Sequence, residues 1–248
     1  MKVLLAGESW ISESTHYKGF DSFTSTTFHT GADWYISALA KEGISVTQIM
    51  AHDVPAKFPY TAEELSEYDV VVLSDIGANS FLLPAETWLQ GKKMPNRLRL
   101  LVDWVNAGGA LMMAGGYLSF QGFEAKGKFF GSPIEEILPV KMFPYDDRVE
   151  SPEGVSPVVN DQAHPVVAGV TGSWPELLGY NKVELKAGAT LVASVGNDPL
   201  VAVQEVGKGR TGVWMSDIGP HWCPETFVQW DGFGKIMGNL HRWLAKND

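Results

Sequence analysis

Three short segments of this chain are apolar without alternation: "KVLLAG" (2–7), "VVVL" (70–73) and "ALMMAG" (110–115). A strand reads this way when both its faces are buried, and two-face burial belongs to parallel sheets covered by helices. "ISVTQIM" (44–50) is a fourth strand of the same set. Helical segments lie between them. The sequence predicts a helix over Asp33–Glu42, stopped at Gly43, because a glycine accepts the left-handed conformation that closes a last turn. Thr61 and Glu64 have the spacing of a capping box at "TAEEL". Arg97–Asn106 is amphipathic. This alternation predicts an α/β fold, a parallel sheet with helices on both faces.

The second half changes character. From Pro139 to Gly212 the segments are short, β-rich and punctuated by Pro and Gly. "ATLVASV", "LVAVQEV" and "RTGVWMSDIG" read as successive strands. "GKGR" joins the last two as a hairpin turn. A phosphate loop would need a helix after it, and none follows. A helix near Phe233–Ala245 closes the chain, with Ile236, Leu240, Trp243 and Leu244 on one face.

The 248 residues carry a net charge of -10, with a pI near 5.0. Nucleic acid and anionic membranes are therefore poor partners, since both need a basic surface. A single cysteine, Cys223, excludes an intrachain disulfide framework. "MKVLLAGES" reads as a first strand and not a leader, and no apolar run is long enough to span a bilayer. These features lead to the expectation of a cytoplasmic protein acting on a small molecule. Self-association is left open.

The string "SDIG" occurs twice, at 74–77 and 216–219, each time at the end of an apolar strand. Ligands of open α/β sheets bind outside the carboxyl ends of the strands. Asp75 and Asp217 are therefore expected at that edge, with Glu8 after the first strand and the turn Gly115–Gly116–Tyr117 after the fourth. Together such carboxyls can orient hydroxyls, bind a cation, or raise one another's pKa. Each can equally close its own turn through backbone amides. His221 and Trp222 follow the last strand in "GPHWCPE", where His221 is a candidate acid–base group or a structural histidine. Cys223 next to them reads as a packed hydrophobe. The long polar stretch 8–31 reads as a loop whose His16 and His29 cover the site as a lid, with Trp10, Lys18 and Asp21 beside them. The catalytic candidates are thus Asp75, Asp217 and His221. The ligand-binding candidates are Glu8, His16, His29, Gly115, Gly116, Tyr117 and Trp222. No histidine pair has zinc-motif spacing, so no metal site is predicted, and no motif identifies a cofactor.

The segments "LLAGESW", "FPYTAEELSEYDVVVLSDIGANS", "GGALMMAGGYLSFQG", "HPVVAGV" and "GKGRTGVWMSDIGPHW" together resemble the class I glutamine amidotransferase-like superfamily, in a branch of uncharacterised members. The resemblance implies a single domain over 1–248 and a flavodoxin-like fold: a central, mainly parallel sheet between helices, with a β-rich second half. True amidotransferases hold a cysteine in a glycine elbow after a strand. The resemblance aligns that elbow with "AGGYLSF", so the nucleophile position falls on Gly116 or Tyr117, neither of which forms a thioester. His221 lies near the family histidine, although "PHW" departs from the usual histidine–proline–glutamate order. The resemblance also links the chain to relatives in carbohydrate metabolism. Two readings stand: a small-molecule enzyme using carboxyls and His221, which is not a glutaminase, or a binding or regulatory domain without catalysis.

Overall fold

The structure, a computed structural model, describes residues 1–246. Its strands, in chain order, are β1 (Lys2–Gly7), β2 (Ser9–Lys18), β3 (Asp21–Thr30), β4 (Ser45–Ile49), β5 (Val70–Ser74), β6 (Ala110–Ala114), β7 (Val140–Lys141), β8 (Arg148–Val155), β9 (Pro157–Val159), β10 (Leu177–Asn181), β11 (Glu184–Leu185), β12 (Thr190–Val195), β13 (Asp198–Val206) and β14 (Gly209–Trp214). Eight of them form the central sheet, in the order β4-β1-β5-β6-β14-β13-β12-β9. The first five in that order run parallel. β13, β12 and β9 complete the sheet by antiparallel pairing.

The apolar runs account for the centre of this sheet. Val3–Ala6, Val70–Leu73 and Ala110–Ala114 are buried along their length. Each buried aliphatic side chain contributes about 1.5–3 kcal/mol, which places these strands inside and leaves polar segments at the edges. Successive strand residues face opposite sides. On β14, Gly212 faces Leu240 and Leu244 of the helix Asp231–Leu244. Its neighbour Thr211 hydrogen-bonds the Ile137 carbonyl on the other side, at 2.6 Å. The helix Arg97–Ala107 packs against the Pro133–Ile137 helix, and Asp33–Lys41 packs against Asp231–Leu244. Helices therefore cover both faces, as the alternation predicted.

Local signals hold in detail. Thr61 and Glu64 make the capping box in both directions. The helix at 33 ends at Lys41, with Gly43 at φ 75° just beyond it. The "GKGR" segment turns β13 into β14, with Val206 opposite Gly209.

The stretch 8–31 departs from expectation. It forms a hairpin, with β2 and β3 paired over ten residues from Ser9–Thr30 to Lys18–Asp21. Its exposed aromatic and hydroxyl residues suit strands, but both faces are open to solvent, so the alternation that would announce a strand is absent.

Candidate functional site

Register sets the site. Gly7 pairs with Ser74, and Ser74 and Trp214 both pair with Ala114, so four neighbouring parallel strands end level. The residues that leave them are Glu8, Asp75, Gly115 and, three beyond Trp214, Asp217. Glu8 and Asp75 leave their strands in the left-handed conformation, at φ 53° and 43°. Non-glycine residues rarely adopt it, and such strain concentrates at functional sites. The chain order places β1 between β4 and β5, the reversal point beside which open α/β sheets form their crevice.

A cavity of about 380 Å³ opens there, within the size range of small-molecule sites. Glu8, Asp75, Asp217 and His221 line it, together with Trp10, Gly31, Tyr117, Leu118 and Pro220. Glu8 is almost fully buried and accepts a hydrogen bond from the Ser74 hydroxyl at 2.6 Å. Burial, followed by repulsion from Asp75 and Asp217, holds its carboxyl well above the usual carboxylate range. Asp75 is pushed up to about 6, chiefly by burial, although the Leu118 amide donates to it at 2.8 Å. Asp217 is buried and accepts from His221 Nδ1 at 2.8 Å and from the Trp222 amide at 2.9 Å. The hydrogen bond to Asp217 is the main cause that raises the His221 pKa, and partial burial opposes it. Half of the His221 side-chain surface remains open.

The glycine turn after β6 is held by side chains from the second half. Asn181, at the end of β10, accepts from the Gly116 amide at 2.9 Å and donates to Asp147 at 2.8 Å. Asp147 accepts from the amides of Gln121 and Gly122, at 3.0 and 2.8 Å. A side chain at Gly115 would meet the Met215 carbonyl at 2.5 Å, and one at Gly116 would meet Asp75 at 2.9 Å. Glycines let a ligand approach the backbone amides without a Cβ in the way, but these amides are not free. Instead, Gly115 N–H donates to the Trp214 carbonyl, Gly116 N–H to Asn181, and Leu118 N–H to Asp75.

The remaining candidates separate clearly. Tyr117 stands edge-on to His221, with ring centroids 4.8 Å apart, and its hydroxyl donates to Glu150 at 3.0 Å. Trp222 is buried behind them and donates to the other Glu150 oxygen at 2.9 Å, so it supports the wall and does not line the cavity. The lid expected from the early stretch is replaced by the root of the hairpin. Trp10 lines the cavity with His29 stacked on it at 5.2 Å. His16 lies far along the hairpin, stacked on Phe23 and bonded to Ser25, and is not a cavity residue. Cys223 is buried, which pushes its thiol up. Among the described residues, no group of three His, Cys, Asp or Glu has the arrangement of a metal site. Asp147, Glu150 and Asn181 carried no signal in the sequence. They belong to no motif and reach the turn only through the β8–β10 pairing.

A mainly parallel sheet, helices on both faces and a sharp glycine turn at the ligand edge define the class I glutamine amidotransferase-like architecture. The chain belongs to the family described as "Putative glutamine amidotransferase" (GATase1_like), whose model matches residues 2–246. The structure is similar to that of the Cytoplasmic Protein STM3548 from Salmonella typhimurium, with a TM-score of 0.95 and 42% identity over 98% of this chain and 99% of that one. The Cytoplasmic Protein STM1381 from Salmonella typhimurium LT2 gives 0.93 and 41%, over 98% and 99%. A ThuA-like protein from Parabacteroides merdae shares the fold, with a TM-score of 0.58 and 14% identity over 100% of this chain and 90% of that one. No curated protein matches the chain.

Proposed function

We propose that this pocket carries out general acid–base chemistry on a neutral, polyhydroxylated small molecule, without a covalent thioester. The observation that carries the reading is the pairing of Asp217 with a half-open His221 across the cavity from a second carboxyl, Asp75, whose pKa is about 6. A base and an acid that titrate near neutrality are what proton transfer at pH 7 requires. Asp75 is the base, and protonated His221 is the acid. Glu8, held neutral by burial, donates a hydrogen bond. The cavity then offers both donors and acceptors, and the Trp10 and Tyr117 rings supply apolar walls, which suits a sugar or related polyol. An anion would meet repulsion from the carboxyls.

The same geometry argues against glutamine hydrolysis. That reaction needs a thiolate and free amides for the oxyanion. The only cysteine is buried, and the Gly115, Gly116 and Leu118 amides are bonded within the fold, the last of them to Asp75. We propose a cytoplasmic location, and the two similar Salmonella proteins, each named a cytoplasmic protein, support it. No helix among the described residues is long and apolar enough to cross a membrane.

The test is NMR of the purified protein with neutral mono- and disaccharides in D2O, following proton exchange and product. His221→Ala and Asp75→Asn should each slow turnover by about 10²–10⁴-fold. The wild-type rate should be bell-shaped in pH. It rises as Asp75 deprotonates near 6, and falls as His221 loses its proton above the ordinary histidine value of 6.5. Sugars that bind without exchange or turnover, and bind equally to His221→Ala, would establish a binding domain instead. Release of ammonia from glutamine that Cys223→Ala abolishes would refute both readings.

A further inference from the structure

The β2–β3 hairpin is more than a wall of the pocket. Among the described residues, neither strand bonds to a third strand, and the pairing runs its full length without a bulge. Two-stranded hairpins are marginal in water unless something covers them. This one leaves Ile11, Tyr17, Phe20, Phe23 and Phe28 exposed. Proteins protect long free strand edges with charge, proline or bulges. The stretch Ser22–Thr30 has no Asp, Glu, Lys, Arg or Pro, in a chain with 48 acidic and basic residues.

We infer that the free edge of β3 is a self-association surface, and that its occupant is β3 of a second copy of this chain. The backbone fixes which groups are available. Lys18 pairs with Asp21 across the two-residue turn Gly19–Phe20, and Gly19 has φ 67°. The pair flanking such a turn is hydrogen-bonded, and alternation then directs the amides and carbonyls of Ser22, Thr24, Thr26 and Phe28 outward. An antiparallel two-fold centred on Thr26 joins these groups to the matching outward groups of the second copy. It sets Phe28 opposite Thr24, and Phe23 opposite His29, with no like charges facing each other. β2 is the worse edge, because its central outward residue is Glu13, which would meet itself. Charge also selects the place. The whole chain is at -10 and repels its copies, while the hairpin carries only Glu13, Lys18 and Asp21. A second copy therefore approaches at least cost here. A different protein adding a strand would need the same edge, and is distinguished by a wild-type chain that stays monomeric.

The test is sedimentation equilibrium of the full chain over a wide concentration range, with far-UV circular dichroism to confirm that each variant folds. Wild type should be in monomer–dimer exchange. Thr26→Pro removes one outward amide without touching the hairpin's own ladder, and should weaken dimerisation by at least about tenfold. Thr15→Pro, on the outer edge of β2, should leave it unchanged. Thr26→Lys keeps the amide but sets two ammonium groups face to face, so its dimer should weaken at low salt and recover as salt rises. A wild-type chain that is monomeric throughout overturns the inference. So do Thr26 variants that associate like wild type, or an equal loss in Thr15→Pro.

Discussion

Replacing Asp75 with Asn should stabilise the folded protein at neutral pH while removing the proposed base. Burial is the main reason its carboxyl stands at about 6 in the folded state, against 3.8 for an unperturbed aspartate. Between those values the folded state holds more protons than the unfolded chain. Stability is therefore fully present below 3.8, is lost as pH rises through about 6, and is level beyond it. At about 1.4 kcal/mol per pH unit, the ionised carboxyl costs the fold about 3 kcal/mol at pH 7. Asn has the same shape, carries no charge, and still accepts from the Leu118 amide. Its weaker acceptor gives back about 1 kcal/mol, leaving a net gain of about 2 kcal/mol. For a chain of this size that is about 4–8 °C in Tm. Asn also tolerates the left-handed backbone at this position, φ 43°, but that benefit does not depend on pH. The assay is thermal or urea unfolding of both proteins across the acid-to-neutral range, plotted as their difference. The difference should grow between pH 4 and 6 and then level off. A difference that is constant with pH, or a variant less stable than wild type at pH 8, would refute the burial argument.

Asn181→Ala should destabilise the protein by about 2–3 kcal/mol in urea, because it strands the buried Gly116 amide and one bond to Asp147. Arg97→Met should cost at least about 3 kcal/mol and lower the denaturant midpoint with little change in slope. That guanidinium is buried and donates to the carbonyls of Phe81, Val54 and Ser80, at 2.8, 3.0 and 3.0 Å, so its loss leaves several buried acceptors unpaired. An Arg97→Met chain as stable as wild type would show that water can replace the side chain.

The central strands were legible because two-face burial writes itself as uninterrupted Val, Leu, Met and Ala. The carboxyls were legible for a related reason. Glu8, Asp75 and Asp217 each follow such a run closely, and parallel strands end at a common edge. The hairpin was not legible, because most residues on both of its faces are exposed and "STHYKGFDSFTST" carries no period. The clamp on the glycine turn was hidden for another reason. Asn181 and Asp147 are 34 positions apart, Asn181 reaches Gly116 across 65, and only the folded β8–β10 pair brings them together. Glycine at 115 and 116 leaves the backbone open to approach, yet both amides are already bonded. Sequence shows where backbone can be approached, but not which acceptor reaches it first.

The hairpin leaves the sheet and returns to it at one point. Ser9 lies opposite Thr30, and just below them the Gly31 amide donates to the Glu8 carbonyl at 3.0 Å. Residues 9–30 are thus a closed cassette, and its two ends stay together whatever its length. Beyond the Trp10–His29 pair, it can be lengthened, shortened or exchanged without moving the strand ends that hold Asp75 and Asp217. The carboxyls and the rim are consequently set by separate parts of the chain. The sheet fixes where the three carboxyls stand, and the cassette sets the rim beside them.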